Sequence, residues 1–168
     1  MQIFCYGSNM LSKRIQERVP SARPIGLGRL AAHKLAWHKR SDDGSGKCDI
    51  EKTDVAGDFV LGVIYEVDAA EKPQLDAAEG KGYGQTSVDV ETPTGSIRAL
   101  TYKAENIDAA RRPYHWYKAF VVAGAREHGM PEGYLLGLEA TGSIEDPNPI
   151  RKKKNEELLK GWLLSLDG

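Results

Sequence analysis

The hydrophobic period changes abruptly at residue 68, and this switch constrains the fold more than any other feature of the chain. Val60, Leu61, Val63, Ile64, Tyr65 and Val67 crowd into residues 59–67 with Gly62 among them. A short run this rich in β-branched and aromatic residues reads as a strand. From Asp68 to Glu79 the pattern turns helical. Asp68 is placed to cap the helix, and Pro73 is tolerable only in its first turn.

The rest of the chain is read against this strand-to-helix unit. Residues 3–6 form a short buried strand stopped by Gly7, and Ser8 or Asn9 is positioned to cap a following helix. In that helix Met10, Ile15 and Val19 face inward while Lys13, Arg14, Glu17 and Arg18 face out; Pro20 and Pro24 end it. Residues 25–37 read as a long strand or hairpin with Gly26 and Gly28 as bulge positions, and residues 40–47 as a flexible turn region. Residues 86–91 and 97–102 flank the hairpin signal Thr94-Gly95. Pro113 opens an amphipathic helix with Tyr117, Phe120, Val121 and Gly124 on one face, closed by Gly129. Pro131 starts a short helix, and Asn148-Pro149 starts a last one carrying Leu158, Leu159, Trp162, Leu163 and Leu166. This order predicts an α+β domain with a mixed, mostly antiparallel sheet that can close as a barrel. One domain over residues 1–168 is expected, with residues 146–168 as a helical extension that caps the core; the other reading puts its apolar stripe against a partner subunit.

The formal net charge is −1, which gives no electrostatic reason to expect nucleic acid or an anionic membrane as partner. No apolar stretch approaches the roughly 20 residues needed to span a bilayer, and the first residues lack the pattern of a signal peptide. Two cysteines, Cys5 and Cys48, without a CxxC pair fit a reducing compartment, so a cytoplasmic location is expected. His33 and His38 lack metal spacing, and Gly80-Lys81-Gly82-Tyr83-Gly84 does not complete a dinucleotide fingerprint. Neither a metal nor another cofactor is expected.

Two places carry chemistry. In Tyr6-Gly7-Ser8-Asn9 a strand passes through glycine into a helix start, which aims backbone N–H groups at one spot and favours an anion there. A plain capped turn is the other reading. A nucleophilic Ser8 is disfavoured, because the G-x-S-x-G elbow is absent and no His-Asp pair stands out. The second place is Glu79. It lies four residues after Leu75, shares that residue's inward face, and occupies the last turn, where the helix dipole disfavours a negative charge. Burial and dipole would both raise its pKa toward the range a proton-shuttling carboxylate needs. A surface glutamate at a frayed helix end is the alternative. Tyr83 and Tyr117 are placed either to donate into a pocket or to serve as satisfied core tyrosines.

Phe4-Cys5-Tyr6-Gly7-Ser8-Asn9-Met10, Val60-Leu61-Gly62-Val63-Ile64-Tyr65, Leu75-Asp76-Ala77-Ala78-Glu79-Gly80, Tyr117-Lys118-Ala119-Phe120 and Gly124-Ala125-Arg126-Glu127-His128-Gly129-Met130-Pro131, with Tyr134 beyond, occur in this order. Together they resemble the gamma-glutamylcyclotransferase family over residues 2 to about 141. The resemblance implies a small β-barrel with flanking helices and a cavity at one mouth. It implies Glu79 as general acid/base, with Ile3, Phe4, Cys5, Tyr6, Gly7 and Ser8 holding the glutamyl end of a small gamma-glutamyl substrate, beside Asn9, Tyr83 and Tyr117. The product would be 5-oxoproline, released by a monomer or homodimer. The spacing from Glu79 to Tyr83 is shorter than in the animal enzymes, and residues 40–58 match poorly. The leaving amine therefore stays open between an amino acid, a simple amine and a larger intermediate, and a non-catalytic ligand-binding member of the same fold is the alternative function.

Overall fold

The computed structural model describes residues 1–164; Leu166 lies outside them. Strands β1 (Gln2–Cys5), β2 (Arg23–Ala31), β5 (Phe59–Glu66), β6 (Tyr83–Thr92) and β7 (Gly95–Ala104) close a barrel in the order β1-β5-β2-β6-β7. All its pairings are antiparallel except the closing one, β1 with β7, which is parallel through Ile3 and Leu100. Strands β3 (His33–Arg40) and β4 (Gly46–Lys52) pair separately. Helices α1 (Ser12–Gln16), α2 (Lys72–Glu79), α3 (His115–Glu127), α4 (Glu132–Ala140) and α5 (Pro149–Leu164) flank the sheets. Among the described residues no helix is long and apolar enough to cross a membrane.

The period switch is where the sequence put it. Strand β5 buries Val60, Val63, Ile64 and Tyr65 and lies between β1 and β2, the position its apolar run demands. Asp68 then accepts from Ala70 N–H at a 3-10 turn, Pro73 sits in the first turn of α2, and Gly80 ends the helix at φ 70°. Asn148 caps α5 by accepting from Ile150 and Arg151 N–H. Trp162 of α5 packs on Phe120 of α3, with ring centroids 5.4 Å apart, so this end of the helix covers the core. Leu163 remains 41% exposed and carries no such role.

Several expectations are corrected. Residues 8–19 do not form one helix: a 3-10 turn (Ser8–Met10) is separated from α1 by the extended Leu11. The Met10 carbonyl accepts from Tyr65 Oη at 2.7 Å, a tertiary bond in place of a helical one. Neither Ser8 nor Asn9 caps a helix, because both side chains are engaged by arginines. Arg14 and Arg18 are only half-exposed and turn toward those partners, whereas Lys13 and Glu17 stay in solvent. Residues 25–37 are two strands, not a hairpin. Ala32 sits at φ 55° between them and bonds Asp58 and Thr53, which sends β3 to pair with β4. Gly26 does mark a register shift, but Gly28 pairs regularly; a Cβ there would lie 2.3 Å from Val90 Cγ1, so close packing explains the glycine. The 40–47 region is anchored rather than loose. Asp43 accepts from Ser45 and Lys47, and its carbonyl takes Tyr114 Oη at 2.7 Å.

Candidate active site

Strand β1 ends at Cys5 and runs into Tyr6 and Gly7 before the 3-10 turn, so the backbone from Ile3 to Asn9 forms one wall of a cavity. Gly7 leaves no room for a side chain. A Cβ would lie 3.0 Å from Cys48 Cβ and 3.3 Å from Tyr117 Oη. Among the described residues the N–H groups of Gly7 and Ser8 donate to no protein acceptor, which leaves two donors at this wall. The opposite side comes from α2 and β7: Leu75, Glu79, Thr101 and Tyr102. Tyr83, Tyr117 and Cys48 close the end, giving about 410 Å³ of empty space with the open mouth included. All ten residues picked from the sequence, Ile3 through Asn9 with Glu79, Tyr83 and Tyr117, line this single space.

Hydrogen bonds fix the walls. Tyr6 Oη donates to the Tyr102 carbonyl, Tyr102 Oη donates to Asp76 Oδ1 at 2.6 Å, and Thr101 Oγ1 donates to the Phe4 carbonyl at 2.8 Å. Tyr83 Oη donates to the Cys48 carbonyl at 2.6 Å, so its proton is committed to the wall. Tyr117 Oη instead accepts from Cys48 N–H at 3.1 Å and also engages the Cys48 thiol. Trp37 and Trp116 each pack at near right angles to the Tyr117 ring and hold it in place.

Glu79 points inward as its spacing from Leu75 predicts: its side chain is 15% exposed and Leu75 is fully buried. Oε1 accepts from Asn9 Nδ2 at 2.5 Å and lies 3.9 Å from Arg18 Nη1, which itself donates to Asn9 Oδ1 at 2.8 Å. Burial raises the Glu79 pKa; Arg18, Arg14, Lys39 and the Asn9 amide pull the other way without cancelling it. The thiols of Cys5 and Cys48 are buried, and burial raises both, Cys48 to about 12. Both stay protonated and inert at neutral pH.

Sequence reasoning misses the cations. Arg14, Arg18, Lys39 and Lys47 line a second space that shares Ser8, Glu79, Tyr83 and Tyr117 with the first. The i, i+4 spacing of Arg14 and Arg18 just after the loop was a usable signal. Nothing local marks Lys39 or Lys47, because both depend on where β3 and β4 dock. Cys48, Thr101 and Tyr102 are likewise reached only through strand pairing.

Known proteins resemble this chain in sequence and in fold. The profile of the AIG2-like family matches residues 59–138. Gamma-glutamylcyclotransferase of Bos taurus is 32% identical over 170 aligned positions, covering 92% of this chain and 84% of that protein, and the Homo sapiens protein of the same name is also 32% identical with the same coverage. A solved structure described as a gamma-glutamyl cyclotransferase superposes with a TM-score of 0.85 at 29% identity, over 96% of this chain and 98% of that one. On its sequence, its barrel and the extent of both matches, the chain belongs to the gamma-glutamylcyclotransferase family.

Proposed function

We propose that the chain cyclises gamma-glutamyl amides by intramolecular aminolysis, releasing 5-oxoproline and the free amine. The observation that carries the reading is the juxtaposition of a desolvated Glu79 carboxyl with a cavity wall whose Gly7 and Ser8 N–H groups are unused among the described residues. A gamma-glutamyl amide contains its own nucleophile, the α-amino group, one five-membered ring closure from the γ-carbonyl. Holding that approach supplies effective concentration with no covalent enzyme intermediate.

Glu79 takes the ammonium proton, the freed amine attacks the γ-carbon, and the new C–N bond forms as the carbonyl oxygen becomes anionic. Collapse breaks the old C–N bond while Glu79 returns the proton to the leaving nitrogen; the freed carboxylate then takes the second proton of the ring nitrogen and passes it to the departing amine, which leaves as an ammonium beside the neutral lactam. The loop N–H groups hold anionic oxygen of the glutamyl end, and Tyr117, which lines the same pocket, turns its hydroxyl from the Cys48 thiol to that end when substrate is bound. Ile3, Phe4, Cys5, Tyr6 and Asn9 shape the pocket around it. A cytoplasmic setting suits the two buried free thiols, and the pocket walls come from one chain, so a monomer or a homodimer would each be competent.

The experiment is a panel of gamma-glutamyl compounds assayed for 5-oxoproline. Release from at least one of them, lost in Glu79→Gln, is expected. Tight binding without release would make the chain a ligand-binding member of the fold.

A further inference from the structure

Four cations surround the outer space next to Glu79, and two of them form no direct ion pair among the described residues. Arg18 is shared between Asn9 and Glu79, and Lys47 is neutralised by Asp43 at 2.8 Å. Arg14 donates to Ser8 Oγ at 3.0 Å and lies over the Phe120 ring at 4.5 Å, yet forms no ion pair among the described residues. Lys39 is only 6% exposed. Its ammonium lies 4.7 Å from the Tyr83 ring centroid and, among the described residues, has neither an ion pair nor a hydrogen bond to a side chain. Burying an ammonium without an anion is costly, and one aromatic face offsets only part of that cost. Among the described residues, Glu79 is the only carboxylate lining the space.

We infer that Lys39 and Arg14 form a receptor for two negative charges on the leaving amine, so that the preferred substrate is a gamma-glutamyl conjugate of an acidic amino acid. The inference rests on the cyclisation proposed above. With the glutamyl end in the loop of residues 3–9 and the scissile bond at Glu79, substituents on the leaving nitrogen extend past Glu79 into the outer space. A neutral amine brings no carboxylate to either cation. An ordinary amino acid satisfies one, and a side-chain carboxylate satisfies the second. Lys39 and Arg14 would thus determine specificity without taking part in the proton transfers.

The test compares gamma-glutamylglutamate with its near-isostere gamma-glutamylglutamine, and with gamma-glutamylethylamine. The dianionic leaving group should raise kcat/KM by about tenfold over glutamine, mostly through KM, as a charge-assisted contact does. The ratio should shrink in 0.5 M salt and fall toward one in Lys39→Met and in Arg14→Gln. Equal efficiency of the two dipeptides, or variants that depress both in the same proportion, would overturn the inference while leaving the cyclisation intact. The salt arm needs no variant and reads out even if Lys39→Met does not fold. If no compound releases 5-oxoproline, the cyclisation itself is wrong. Calorimetry then decides the receptor alone: free glutamate binding about tenfold tighter than glutamine supports it, and equal or absent binding rejects it.

Discussion

The Asn9 amide donates to Glu79 Oε1 across a sequence separation of 70 residues, and its own carbonyl oxygen takes Arg18 Nη1. One amide therefore ties the substrate loop, the basic face beside α1 and the end of α2 into a single unit. It orients the carboxylate while burial keeps that carboxylate reluctant to ionise.

Replacing Glu79 by glutamine keeps the shape and removes the proton shuttle. The variant should fold normally by circular dichroism and lose about 10²- to 10⁴-fold in kcat for 5-oxoproline release. A near-normal rate would remove Glu79 from the mechanism.

The same substitution should stabilise the protein at alkaline pH. The folded pKa of Glu79 lies above its unfolded value, so its favourable contribution is complete below the ordinary glutamate range and is lost as pH rises through the raised pKa. The Tm of Glu79→Gln minus that of the parent chain should become more positive between pH 4 and pH 8. A difference that stays flat or shrinks would contradict the burial argument.

Activity should have the opposite pH trend, because the base must be ionised to accept the ammonium proton. The acid limb of kcat/KM is expected above the usual glutamate pKa of about 4.3. In Arg18→Met the nearest cation is gone, at 3.9 Å from Oε1, and the limb should move to higher pH still. An unmoved limb would mean that Arg18 does not act on the carboxylate.

Gly124 allows α3 to lie against the substrate loop. A Cβ there would fall 2.4 Å from Leu11 N and 2.7 Å from Met10 C, both backbone atoms that cannot yield cheaply. Gly124→Ala should cost about 1–3 kcal/mol in denaturant unfolding. It should also raise KM, since displacing Met10 and Leu11 moves the turn that carries Ser8 and Asn9.

Trp162 tests the role of the last helix. Its buried ring on Phe120 should make Trp162→Ala destabilising by about 2 kcal/mol, read from chemical denaturation. Unchanged stability would argue that α5 does not cap the core.

Residues 59–79 were legible in the sequence because strand and helix periods, the Asp68 cap and the Gly80 stop all act within a few residues of where they are written. The inward aim of Glu79 followed from its spacing to Leu75, and the hairpin from Thr94-Gly95, for the same short-range reason. Tertiary structure alone decided that Ala32 turns β3 away from β2, that Ser8 and Asn9 bond arginines instead of capping, and that Arg14, Arg18, Lys39 and Lys47 converge beside one carboxylate. These outcomes depend on which distant strands pair and what their packing buries. A lysine that looks like any surface lysine in the chain becomes a desolvated cation only once β3 has docked.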